Sequence, residues 1–357
     1  ICTEPSLLRH WDPESPPGST QLTSTLTKSR ILEQTREYLY PGRVERLLEG
    51  GIDLVPGRRE GYRLWDVDGR ELLDLHLNGG TFSLGHRNPE LSRILSEGLA
   101  DRDVGNNHFG SEPKVALAKA LVEAAPGDMH YAVLTCGGSE AVEVAIKSAR
   151  WATRRRRIVS IEAGFHGRTG LSGAAGNDEV AQFFLSDRPE EFLKVPFNDL
   201  DAMRAALRSG DIAAVLLETI PATCGFPVPD EDYLPGVKAL CEKYGALYIA
   251  DEVQTGLGRT GRMWGVDNWG VEPDILITGK GLSGGLYPVS AAVLNARAGA
   301  WLEDNGWGHV STFGGSDLGC LVALRVLEIC SEPAMLANVN EQADYLRSGL
   351  QALARRF

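Results

Sequence analysis

Leu247-Tyr248-Ile249-Ala250-Asp251-Glu252-Val253-Gln254 is an apolar run that ends in a carboxylate, and Pro273-Asp274-Ile275-Leu276-Ile277-Thr278-Gly279-Lys280 is a second that ends in an amine. Runs this short, polar only at their ends, read as strands buried on both faces. Tyr131 to Thr135, Ile158-Val159-Ser160-Ile161 and Ile212-Ala213-Ala214-Val215-Leu216-Leu217 repeat the pattern upstream. Helix-like stretches intervene: Val115 to Ala125, and Glu140 to Arg150 with Ala141, Val144, Ala145 and Ser148 on one face. Buried strands alternating with helices predict an α/β domain with a mostly parallel sheet. In such sheets sites form at the carboxyl ends of the strands, and Glu218, Asp251, Lys280 and the turn Cys136 to Ser139 all fall there.

Lys280 is one of eight lysines and opens into Gly281-Leu282-Ser283-Gly284-Gly285. An amine at a buried strand end, beside glycines that allow close approach, suits a nucleophile that condenses with a carbonyl. The turn Thr135-Cys136-Gly137-Gly138-Ser139-Glu140 places backbone N–H groups and a hydroxyl at a helix start. It fits a phosphate site or an ordinary strand-to-helix junction. Neither a Walker A loop nor GxGxxG is present, which disfavours ATP and nicotinamide dinucleotides. Phe165-His166-Gly167-Arg168-Thr169 fits either a cover for a planar ring or a core Phe with a loop His. A buried Asp251 needs a partner. A pyridinium N–H suits it, as do an N-cap or, with Glu252, a metal; without a His cluster or a third convergent carboxylate the metal is disfavoured.

The 357 residues are 43% hydrophobic and 24% charged, with net charge -12, enough for one large domain and a smaller one. The acidic balance argues against a nucleic-acid partner. Arg154 to Arg157 read as a solvated helix end rather than a polyanion site. No segment approaches the roughly 20 apolar residues that span a bilayer, and Ile1 to Thr20 lack the apolar core of a signal peptide. The chain does not open on Met, so an N-terminal segment is expected to be missing or processed. Six widely spaced cysteines without a CxxC pair imply reduced thiols and a cytoplasmic location. Residues 1–45 read as a polar arm with a helix around Ser29 to Tyr38, and Gly61 to Leu75 as a hairpin about Asp68-Gly69. Beyond residue 315 the chain reads as helical, from Leu318 to Cys330 and Asn338 to Arg356.

Asp251-Glu252-Val253-Gln254-Thr255-Gly256-Leu257-Gly258-Arg259-Thr260-Gly261, with Gly279-Lys280-Gly281-Leu282-Ser283-Gly284-Gly285, resembles the signature of class III (ornithine/ω-amino acid type) aminotransferases, pyridoxal-phosphate enzymes of fold type I. The match continues through Trp65 to Gly69, Gly85-His86-Arg87-Asn88-Pro89, Gly138 to Ala141, Phe165 to Thr169 and Ser311-Thr312-Phe313-Gly314-Gly315, in the family's order.

The resemblance implies a mostly parallel seven-stranded sheet flanked by helices in a large domain at 91–315. An N-terminal arm and part of a smaller α+β domain would occupy 1–90, and 316–357 would start a C-terminal small domain that continues further in the family and often supplies an arginine for a substrate carboxylate. By the same resemblance Lys280 binds pyridoxal 5'-phosphate as a Schiff base and Asp251 partners its ring nitrogen. Gln254 lies near the phenolic oxygen, Phe165 stacks on the ring, His166 neighbours it, and Gly138 and Ser139 hold the phosphate. Thr312 helps from the other subunit of a homodimer, the site being shared at the interface. Glu218 stands where the family has Glu-Pro-Ile, but here Glu218-Thr219-Ile220-Pro221 follows, and Gly137 replaces a common serine. The implied reaction moves an amino group between a small-molecule amine donor and a carbonyl acceptor. Decarboxylation, amino migration, racemisation or elimination on the same fold are the alternatives, and a non-catalytic scaffold is disfavoured by Lys280, Asp251 and Gln254 together.

Overall fold

A computed structural model describes residues 26–106 and 108–357; the expectations for Ile1 to Thr20 and for Cys2 fall outside them. Two compact units emerge, one of the described residues up to Arg58 with Leu64–Leu72, the other of Arg59–Arg63 with Leu73–Phe357.

In the smaller unit, helices Lys28–Tyr38 and Pro41–Glu49 follow one another. Lys28 Nζ lies 2.8 Å from Asp53 and 2.9 Å from Asp66. Asp66 Oδ1 accepts the backbone N–H of Asp68 and of Arg70, closing the turn at Gly69, whose φ is +87°. The expected hairpin is therefore present: β1 (Pro56–Glu60), β2 (Arg63–Asp66) and β3 (Glu71–Leu73) form a three-stranded sheet in that order.

The larger unit holds a seven-stranded sheet of β4 (Met129–Thr135), β5 (Arg157–Ile161), β6 (Phe192–Val195), β7 (Ile212–Glu218), β8 (Leu247–Asp251), β9 (Ile275–Thr278) and β10 (Ser290–Asn295). Its order is β4-β10-β9-β8-β7-β5-β6, and only β10 runs antiparallel to its neighbours. Every residue of β7, β8 and β9 is buried, which explains their unbroken apolar sequences. The two-residue period still divides them. Val215, Leu217, Tyr248, Ala250 and Leu276 join the cluster containing Leu117, Leu121 and Val237, while Leu216, Ile249 and Ile277 join the one containing Val142, Ala145 and Ile146. Helices thus cover both faces. In register, Glu218 pairs with Asp251 and Asp251 with Ile277, so these strand ends lie level and Lys280 follows immediately.

Candidate active site

Three strand exits and one helix start converge. β8 ends on Asp251, which is 5% exposed. Its Oδ2 lies 2.8 Å from His166 Nδ1, and its Oδ1 accepts the N–H of Val253 at 3.1 Å. His166 is buried, and its Nε2 has no hydrogen-bond partner among the described residues. Glu218, the last residue of β7, accepts the N–H of Phe165 at 2.8 Å and that of Ala222 at 3.2 Å. One carboxylate therefore fixes the loop that carries Phe165 and His166.

Past β9 the chain turns through Gly279 into a 3-10 turn, Lys280–Ser283, with Lys280 itself at φ +42°. That unusual backbone presents the amine to the cavity. A Cβ on Gly279 would lie 2.5 Å from Ser290 Oγ and one on Gly281 2.9 Å from Ser83 Oγ, so a side chain on either side of the lysine would have to displace a serine hydroxyl. Burial pulls the Lys280 ammonium below the usual lysine range, with Asp251 and Glu218 opposing. The Glu218 carboxyl is pushed up, mainly by burial, with Asp251 adding and His166 opposing.

The helix Gly138–Thr153 starts after Gly137 without a side-chain cap. Its first N–H groups, with the positive end of the helix dipole, face the cavity as a ready anion site. Ser139 Oγ accepts the N–H of Arg168 at 3.3 Å, and Cys136 N–H is held by Glu140 at 2.8 Å. Arg168 lies 4.6 Å over the Phe165 ring.

Gly138, Ser139, Phe165, His166, Glu218, Asp251, Gln254 and Lys280 all line one cavity of about 470 Å³. Thr312 does not. It is exposed, and its carbonyl accepts the N–H of Asn106 at 2.7 Å. Asn78, Thr81 and Phe82 also line the cavity, beyond the motifs that mark the site in the sequence. Asn78 lies within, and Thr81 and Phe82 directly follow, the run Leu77, Asn78, Gly79 and Gly80, four consecutive residues at φ +49°, +51°, +67° and +91°, anchored by Asp74 Oδ1 on the N–H groups of His76 and Leu77. The Asn78-Gly79-Gly80 run was the available signal, since those residue types tolerate left-handed backbone.

Residues 49–357 match the family model for class-III aminotransferases. The chain belongs to the class-III aminotransferase family. It is 46% identical to an uncharacterized aminotransferase of Archaeoglobus fulgidus, over 92% of this chain and 77% of that protein. Identity to a putrescine aminotransferase of Pectobacterium atrosepticum is 35%, over 100% of this chain and 78% of the relative. The structure is similar, at TM-score 0.83 and 29% identity, to taurine:2-oxoglutarate aminotransferase from Bifidobacterium kashiwanohense in complex with PLP and glutamate, covering 93% of this chain and 79% of that one. This class-III aminotransferase accordingly has fold type I, depends on pyridoxal 5'-phosphate and transfers amino groups. The cavity fits that cofactor: it offers uncapped helix N–H groups for a phosphate, a buried carboxylate for a ring nitrogen and an amine of depressed basicity for an aldehyde.

Proposed function

We propose that this class-III aminotransferase holds its cofactor by the residues that meet in the cavity. Lys280 Nζ is the amine that meets the aldehyde, and Asp251 is the partner of the ring nitrogen. Gly138 and Ser139 receive the phosphate, Phe165 covers the ring, and Gln254 stands toward the phenolic oxygen. When bound, pyridoxal phosphate supplies a protonated ring that withdraws electrons from the substrate carbon. Asp251 keeps the ring nitrogen protonated by opposite charge, and His166, at 2.8 Å, orients that carboxylate. Lys280 Nζ, with its proton affinity lowered, would take the proton from the substrate carbon and return it to the carbon on the far side of the shared nitrogen. Glu218 keeps the Phe165 loop in place.

The observation that carries this reading is the convergence of Lys280, Asp251 and the uncapped start of Gly138–Thr153 on one cavity. The family domain division is proposed with it, 91–315 forming the cofactor domain between 1–90 and 316–357. A homodimer completes the site, with Thr312 reaching the partner's cofactor. In support, Thr312 lies outside its own cavity, in a stretch of chain that carries exposed Trp307, Val310 and Phe313. A cytoplasmic location is supported by five free cysteines among the described residues, where no helix is long and apolar enough to cross a membrane.

The test is a half-reaction panel followed by the cofactor's visible band. Putrescine, ornithine and taurine are offered as donors, and 2-oxoglutarate as acceptor. Loss of the band with a donor and its return with the acceptor is expected. Release of CO2 or an isomerised product, with no return of the band, would overturn the reading.

A further inference from the structure

Glu252 follows Asp251 in the chain and is 1% exposed, yet it takes no part in the cavity. Its carboxylate sits in a cradle of four donors. Oε1 accepts the N–H of Val266 at 2.9 Å and the hydroxyl of Thr219. Oε2 accepts the N–H of Gly265 at 2.7 Å and the hydroxyl of Thr255 at 2.8 Å. Each oxygen therefore receives one backbone N–H and one hydroxyl. The fit is close: a Cβ on Gly265 would lie 3.0 Å from Oε2 and 3.1 Å from Oε1.

The donors come from three separate segments. Thr219 directly follows Glu218 at the end of β7, Thr255 directly follows Gln254, and Gly265 and Val266 open the 3-10 turn Gly265–Trp269. Two consecutive carboxylates are thus used in opposite directions, Asp251 into the cavity and Glu252 into the cradle. Glu252 N–H also donates to Ile277 O at 2.9 Å, tying the exit of β8 to β9 just before Lys280. Glu252 is thus anchored on both its backbone and its side chain, between Asp251 and the Val253-Gln254 pair.

The donor pattern also dictates the residue type. Thr219 and Thr255 hydroxyls can rotate to accept, but the two backbone N–H groups cannot, and they address different oxygens. An isosteric amide must turn its NH2 toward one of them. Glutamate satisfies the cradle, and glutamine cannot.

We propose that Glu252 is a positioning residue of the transamination site, its four-donor cradle setting the aim of Asp251 and Gln254 at the cofactor and hence the protonation of the ring nitrogen. This rests on the reading of Asp251 given above.

The test compares the full-length Glu252→Gln, Thr255→Val and Met203→Ala proteins with the parent. Met203 is fully buried in the helix Leu200–Leu207 and does not line the cavity, so its variant reports plain loss of stability. Three quantities are measured: the dissociation constant for pyridoxal phosphate, the pH midpoint of its bound visible band, and the thermal midpoint. Loss of one hydrogen bond to a charged group predicts about tenfold weaker cofactor binding in Glu252→Gln, and the reoriented Asp251 moves the pH midpoint by roughly half a unit or more. Thr255→Val moves both in the same direction by less, and Met203→Ala moves only the thermal midpoint. Parent values of both cofactor quantities in Glu252→Gln overturn the proposal, as does Met203→Ala reproducing the shifts at equal loss of stability. Should Glu252→Gln not fold, Thr255→Val decides, unchanged values counting against the proposal. A parent that binds no pyridoxal phosphate overturns the Lys280 and Asp251 assignments instead.

Discussion

His166 Nδ1 lies 2.8 Å from Asp251 Oδ2, and both side chains are buried. A carboxylate accepts, so Nδ1 is the donor of this pair. The imidazole fixes one carboxylate oxygen while Val253 N–H fixes the other side of the group. Replacing His166 by Ala removes a hydrogen bond to a charged acceptor, worth about 1.5–3 kcal/mol. Transamination measured as kcat/KM is expected to fall by roughly tenfold to a hundredfold. Unchanged kinetics would show that Asp251 needs no help in holding its direction.

That pair was only half legible in the sequence. Asp251 announced itself as a polar residue closing an apolar run, but His166 lies 85 positions away and nothing in its own segment pointed to a partner. The same contrast runs through the fold. β7, β8 and β9 were readable because burial on both faces demands continuous apolar residues. β6 was not, since it is an edge strand of four residues with Lys194 in it, and Ser290-Ala291-Ala292 disguised β10 with small side chains. Glu252 entered the sequence reading only through a disfavoured metal site beside Asp251; its cradle depends on Thr219, Gly265 and Val266, which only the fold brings to it.

Lys280 gives a pH prediction whose sign follows from its surroundings. Burial lowers its basicity from the ordinary 10.5, so the neutral, nucleophilic amine is populated at lower pH than for a free lysine. The rate at which cofactor-free protein captures pyridoxal phosphate is expected to rise with pH, with a midpoint below 10.5. Asp251 opposes the shift by favouring the ammonium. Asp251→Asn removes that charge, so its midpoint falls further. Stopped-flow absorbance across a pH series reads both midpoints; an upward move in Asp251→Asn contradicts the argument. Lys280→Ala loses turnover and the covalent capture together, and borohydride reduction of the parent followed by peptide mapping is expected to place the pyridoxyl label on Lys280; a label elsewhere contradicts the assignment.

Gly167 ties cofactor binding to a backbone constraint. Its φ of +123° suits glycine, and a Cβ there would overlap Ser139 Oγ and approach Ser172 Oγ to 2.7 Å. Gly167→Ala therefore combines backbone strain of about 1–3 kcal/mol with displacement of the Ser139 hydroxyl from the phosphate turn. A lower thermal midpoint together with weaker cofactor retention is expected. A thermal loss alone would mean that Ser139 does not serve the phosphate.

Thr312 allows the shared site to be tested by complementation. On the proposed dimer reading, Thr312→Val is expected to weaken cofactor binding by loss of a hydroxyl donor to a charged group, about 1.5–3 kcal/mol. Lys280→Ala inactivates its own site. When the two variants are co-expressed and the mixed dimer is isolated, service across the interface puts both lesions in one site and leaves the other with an intact Lys280 and an intact Thr312. Activity near half that of the parent dimer, with parent cofactor affinity at the working site, is then expected. If Thr312 serves its own subunit, every site in the mixed dimer carries one lesion and no site recovers parent affinity. Cofactor affinity per active site, rather than total activity, is thus the measurement that separates the two arrangements.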